Sequence, residues 1–153
     1  MTEANAPDSL LAFSQGLAKA VERVSKAVVA VDARPRVATS GVVWRDRVIV
    51  STNHTIQRDE EITVQLGDGR RLPANLVGRD PSTDLAVLRV EADQALGIDP
   101  VTTTAHDELA VRNLILAVGR IHQERGVTAS FGVVSALGDK WRRWPWAMSA
   151  PAM

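Results

Sequence analysis

From Val28 onward the chain is a succession of short β-rich runs broken by turn residues, and this confines it to a small closed or layered β architecture. The runs fall at residues 28–31, 37–44, 48–50, 62–66, 71–78 and 85–90. They are rich in valine, isoleucine and leucine, which suit a pleated, half-buried surface. Between them stand Arg34-Pro35-Arg36, the polar turn Arg45-Asp46-Arg47 and the glycine hairpin signal Gly67-Asp68-Gly69. Strands this short bury a hydrophobic face only by packing together, as a barrel or as a sandwich. The pattern alone leaves that choice open.

Two of the junctions carry chemistry. The run 85–90 is apolar but for Arg89, and it follows the turn Asp80-Pro81-Ser82-Thr83-Asp84. Asp84 stands where the turn becomes strand, so rigid backbone holds its carboxylate against an apolar wall. That placement suits a group that orients another. Upstream, Ile49-Val50-Ser51-Thr52-Asn53-His54-Thr55-Ile56 is a second β-rich run ending in a polar turn, and it carries His54.

The motifs "IVSTNHTI" (49–56) and "GRDPSTDLAVLRV" (78–90) resemble those of trypsin-like serine proteases of the HtrA/Deg type. The resemblance continues through "SGVVW" (40–44), "ITVQLGDGRRLPANLVG" (62–78), "LILAVGR" (114–120) and "TASFGVVSALG" (128–138), in family order and spacing. It implies a mainly β, chymotrypsin-like fold. The first six-stranded barrel is complete at residues 27–110 with its connector, and a second barrel is begun at 111–138. A tail and helix precede them at 1–26, and an out-of-pattern tail follows at 139–153. The resemblance also implies a serine endopeptidase that hydrolyses peptide bonds of a polypeptide substrate through a His-Asp-Ser triad. On that alignment His54 is the catalytic histidine and Asp84 the catalytic aspartate.

The third member is missing from the sequence. A serine hydroxyl needs a base within reach, the base needs a carboxylate to set its tautomer, and the oxyanion needs a pair of donors. The family draws both nucleophile and donors from a Gly-x-Ser-Gly-Gly motif, and this chain contains none. Ser40, Ser51 and Ser82 match structural positions of the first barrel. Ser130 and Ser135 lie on the strand before the family's nucleophile, and Ser149 has no flanking glycine to allow the tight turn. The expectation is an inactive chain of a protease family. The alternative is a non-catalytic module that binds peptides or oligomerises.

Composition narrows the remaining classes. The 153 residues suffice for one ordinary domain, and the formal net charge is zero, which argues against a nucleic-acid partner. There is no cysteine, hence no disulfide and no thiolate site. His106 and His122 lack neighbouring ligands in the sequence, so no metal and no cofactor are expected. No basic leader precedes an apolar run, and no stretch approaches the ~18 apolar residues of a membrane span. The expectation is a cytoplasmic protein with no integral membrane segment.

The two ends read differently from the middle. Residues 1–7 suggest disorder. From a cap at Asp8 or Ser9, Leu10, Leu11, Phe13, Leu17, Val21 and Val24 form one apolar helical face to about Ser25. That face packs on the domain or a neighbour; the sharper reading is a homo-oligomerisation helix. Residues 91–108 read as a polar connector of weak structure. The tail 139–153 holds three of the four tryptophans and shows neither periodicity. It is an aberrant terminus or, alternatively, a tryptophan-rich interaction segment.

Overall fold

The computed structural model describes residues 6–93, 95–104, 108–120 and 126–138. Its elements are α1 (Ala6–Ser25), β1 (Val28–Asp32), β2 (Thr39–Arg45), β3 (Val48–Thr52), β4 (Ile62–Gln65), β5 (Arg71–Asp80), β6 (Leu85–Val90), β7 (Leu114–Arg120) and β8 (Val127–Val133). A 3-10 turn, Asn53–Thr55, follows β3. The first six strands close into an antiparallel barrel in the order β1-β2-β3-β6-β5-β4, and β7 and β8 form a separate two-stranded sheet. The closed barrel settles the choice that strand pattern left open. The mainly β fold, the N-terminal helix and the partial second sheet agree with the expected architecture.

Closure follows from alternation along each strand. Val29 and Val31 of β1, Val43 of β2, Ile49 of β3, Ile62 and Val64 of β4, and Ala86, Leu88 and Val90 of β6 all join one buried cluster. Full burial of a branched side chain of this kind stabilises by roughly 1.5–3 kcal/mol. β1 shuts the barrel by pairing with both β2 and β4, in the registers Val29↔Gly41 and Val31↔Val64. Its outward residues Val28 and Ala30 are buried too, because β1 also contacts α1 and β7.

The connector after β6 is more ordered than its composition suggests. It forms no α-helix or strand among the described residues, yet Leu96 is 1% exposed within the core cluster. Ala92, Ile98 and Val101 pack against that cluster. The hairpin turns hold it from both sides. Asp46 accepts the Leu96 N–H at 3.0 Å, Arg47 donates to Ala92 O at 2.9 Å, and Arg70 donates to Leu96 O at 2.7 Å. These partners lie 26 to 50 residues away in sequence, so local composition carries no trace of them.

Helix α1 begins at Ala6, which puts Asp8 in its first turn. Only part of its apolar face is covered: Leu17, Ala20 and Val21 are half-buried, whereas Leu10, Leu11 and Phe13 are exposed. Phe13 meets Phe131 of β8 edge-on, with ring centroids 6.4 Å apart. Residues 1–5 and the tryptophan-rich tail lie outside the described residues.

Gly41 tests the packing of the barrel. A Cβ there would stand 2.7 Å from Ile49 Cγ2 and 2.9 Å from Val31 Cγ2, on two side chains that expose no surface. Gly41→Ala is expected to lower stability by about 1–3 kcal/mol, the usual cost of overpacking. Urea denaturation would show a lower midpoint with an unchanged slope. A midpoint equal to that of the parent chain contradicts the packing described.

Candidate active site

Strands β3 and β6 are hydrogen-bonded neighbours, in register from Val48↔Arg89 to Thr52↔Leu85. One step past that last pair, the Asn53 N–H donates to Asp84 O at 2.9 Å. The two chains therefore leave the barrel rim side by side, one entering the 3-10 turn and the other completing the β5–β6 turn. This pairing brings together His54 and Asp84, which lie 30 residues apart.

Asp84 holds His54 at two points. Its Oδ1 accepts the His54 backbone N–H at 2.9 Å, and its Oδ2 lies 2.6 Å from imidazole Nδ1. An ionised carboxylate can only accept, so the short contact selects the tautomer protonated on Nδ1. Nε2 is then the nitrogen that can take a proton. The exposures match this division: the His54 side chain is 54% exposed and that of Asp84 only 18%.

The 3-10 turn is braced from beneath. Thr55 is buried, and its hydroxyl donates to Thr52 O and contacts the Thr52 hydroxyl, both at 2.8 Å. Downstream, the Gln57 and Arg58 N–H groups both donate to Ala33 O, at 2.9 and 3.0 Å. Arg79 of β5 reaches Ile56 O and the Asp59 carboxylate. Asn53 departs from this economy. Its Oδ1 is buried and finds no hydrogen-bond partner among the described residues, a cost of about 1–3 kcal/mol.

On the other side of the pair, the β5–β6 turn carries residues whose bonding the sequence left unread. Asp80 accepts Ser82 N–H at 2.9 Å, the Ser82 hydroxyl at 2.7 Å and the Thr83 hydroxyl at 2.8 Å. Asp84 closes this turn in the left-handed region at φ 58°. The only prior signal was the run Asp-Pro-Ser-Thr, which marks a bend without saying which oxygens close it.

Among the described residues the remaining candidates are not drawn to His54. The Ser51 hydroxyl donates to Ser40 O, and that of Ser40 donates to Arg120 O and accepts its N–H. Ser82 binds Asp80, and Ser130 and Ser135 are exposed on or after β8. Ser149, His106 and His122 lie outside the described residues. Among the described residues no group of three or more His, Cys, Asp or Glu is placed to hold a metal ion. No described helix is long and apolar enough to cross a membrane. The arrangement can orient one imidazole and accept a proton at Nε2.

Asp80 gives the site a pH signature. Hydrogen bonds from the Ser82 hydroxyl, then the Thr83 hydroxyl, then the Ser82 backbone hold its carboxyl down at about 2, against an ordinary value of 3.8. A depressed carboxylate stabilises the folded turn fully above the ordinary value, and this is lost as pH falls through the folded one. The Ser82 amide resonance is therefore expected to hold its position down to about pH 3 and to move with a midpoint near 2. A midpoint near 3.8 would show that these bonds do not form in solution.

Comparison with known proteins identifies the family of this fold. The trypsin-like peptidase domain family matches residues 39–150. The chain is 36% identical over 90 residues to the periplasmic pH-dependent serine endoprotease DegQ of Escherichia coli, covering 59% of this chain and 19% of that protein. It is 39% identical over 106 residues to the serine endoprotease DegS of Salmonella typhimurium, covering 67% and 28%. It is 37% identical over 98 residues to a probable periplasmic serine endoprotease, DegP-like, of Ectopseudomonas mendocina, covering 63% and 20%. The matched region thus spans about a fifth to a quarter of these relatives' length. Periplasmic relatives overturn the expected cytoplasmic location, which rested on the absence of a recognisable leader. With a barrel, a histidine–aspartate pair at its rim and a domain match over residues 39–150, the chain belongs to the trypsin-like peptidase family and is related to its Deg-type serine endoproteases.

Proposed function

We propose that His54 is the general base and Asp84 the orienting carboxylate of a serine-endopeptidase site of the Deg type. Its substrate is a polypeptide and its compartment the periplasm, as the names of the relatives suggest. The observation that carries this reading is the 2.6 Å contact between His54 Nδ1 and Asp84 Oδ2, reinforced by the backbone bond to Oδ1. In a hydrolytic cycle Nε2 takes the proton of the attacking hydroxyl and returns it to the leaving amine, while Asp84 keeps the imidazole in register and stabilises the imidazolium. In such triads loss of the carboxylate alone costs about 10⁴ in kcat.

The 153-residue chain by itself does not hydrolyse peptides on this reading, because it carries no Gly-x-Ser-Gly-Gly to supply nucleophile and oxyanion donors. That same lack favours a second reading, a non-catalytic module that binds peptide or associates with itself. The exposed Leu10, Leu11 and Phe13 of α1 support self-association through the helix. Residues 27–110 then form the first barrel with its connector, and 111–138 the start of a second.

Three measurements separate these statements. A fluorophosphonate probe is expected to leave the chain unlabelled. A single labelled serine, lost in His54→Ala, would show competence and overturn the inactive reading. Proton NMR is expected to show a low-field His54 Nδ1–H resonance that disappears in Asp84→Asn. Its persistence in that variant would break the base-and-orienter assignment. Sedimentation at rising concentration reports on the helix, and a monomer throughout would remove self-association.

A further inference from the structure

We infer that Asp80 is a positioning residue of this site: by gathering the donors of Ser82 and Thr83 it shapes the turn that delivers Asp84 to His54. The inference rests on the proposed His54–Asp84 pairing and adds a residue that never touches the imidazole.

The need for such a residue comes from the geometry of the turn. β5 ends at Asp80 and β6 begins at Leu85, and these two residues pair directly. Only Pro81, Ser82, Thr83 and Asp84 reverse the chain between them. Asp84 completes the reversal at φ 58°, a conformation that residues with a Cβ rarely adopt. It must do so while aiming both carboxylate oxygens at the neighbouring 3-10 turn. No core side chain enforces this shape, since Pro81 is exposed and Ser82 and Thr83 are half-exposed.

Asp80 supplies the missing constraint. Oδ1 takes both the Ser82 N–H and the Ser82 hydroxyl, at 2.9 and 2.7 Å, and Oδ2 takes the Thr83 hydroxyl at 2.8 Å. Pro81 fixes its own φ and has no N–H to satisfy. The whole loop is therefore constrained residue by residue up to Asp84. Bonds to an ionised carboxylate are shorter and roughly twice as strong as neutral ones. The adjacent Arg79 does not compete, because its guanidinium is directed to Ile56 O and Asp59. Both Asp80 oxygens face their own turn, which marks a positioning role and not a contact with substrate.

The test uses the full chain, labelled for NMR, with the His54 Nδ1–H resonance and the exchange rate of the His54 amide as readouts. Asp80→Ala is expected to weaken or remove the low-field resonance and to speed exchange of the His54 amide by about tenfold, while core amides such as Leu88 keep their protection. Asp80→Asn, which retains an acceptor for the Ser82 N–H, is expected to fall between. A low-field resonance and a His54 amide both unchanged in Asp80→Ala would overturn the inference. Should Asp80→Ala fail to fold, the double variant Ser82→Ala, Thr83→Val keeps the carboxylate and removes two of its three donors. It is expected to show the same effect more weakly, and no effect there overturns the inference equally. Asp84→Asn keeps the two claims apart. If it removes the resonance and Asp80→Ala does not, only the role of Asp80 fails. If it leaves the resonance intact, the pairing itself fails.

Discussion

The ladder between β3 and β6 is the interaction on which the rest of the site depends. Five register pairs, from Val48↔Arg89 to Thr52↔Leu85, run along strands whose inward residues include Ile49, Ala86 and Leu88. Because side chains alternate, a slip of either strand by one residue would turn its inward residues outward and carry its rim residue with them. Burial of the barrel interior therefore fixes the register, and the register fixes where the histidine turn meets the aspartate turn. A distance of 2.6 Å between side chains 30 residues apart is a property of the whole barrel.

The barrel reaches that rigidity with help from segments of no regular structure. Leu96, held by Asp46, Arg47 and Arg70, brings the connector into the core cluster. At another face Arg120 ties three parts together. Its guanidinium donates to Val28 O at 2.9 Å and Ser25 O at 3.2 Å, while its backbone exchanges hydrogen bonds with the Ser40 hydroxyl. The end of α1, the wall of the barrel and the start of the second sheet meet at this one residue. The hydroxyls of Ser40 and Ser51 are thus engaged in structural hydrogen bonds.

Two local costs and their compensation meet at the rim. Asp84 adopts a left-handed backbone and Asn53 buries an oxygen without a described partner, on either side of the same contact. Each costs on the order of 1–3 kcal/mol, comparable to several exposed ion pairs. Such costs persist where surrounding structure over-determines the geometry. Here the Asp80 turn, the Thr55 brace and the Ala33 carbonyl supply that excess. Preorganisation of this kind suits a group that must already be oriented before a proton moves.

Much of this protein was legible in its residues alone. Short β-branched runs with polar breaks specify strands, and the run 85–90 is observed with those bounds. His54 and Asp84 were marked by their motifs, because pairing an imidazole with a carboxylate needs particular residue types at strand ends. Strand pattern could not choose barrel over sandwich, since both present the same alternation and differ only in which edges pair. Nor could it show Leu96 in the core, the donors on Asp80 or the clamp at Arg120. Those depend on groups that meet only after the chain has closed, or on which of several equivalent oxygens a turn selects. The types of element and the residues at their ends follow from the chain's own pattern; their distances follow from the closed barrel, because register is set by burial across strands and not by any one segment.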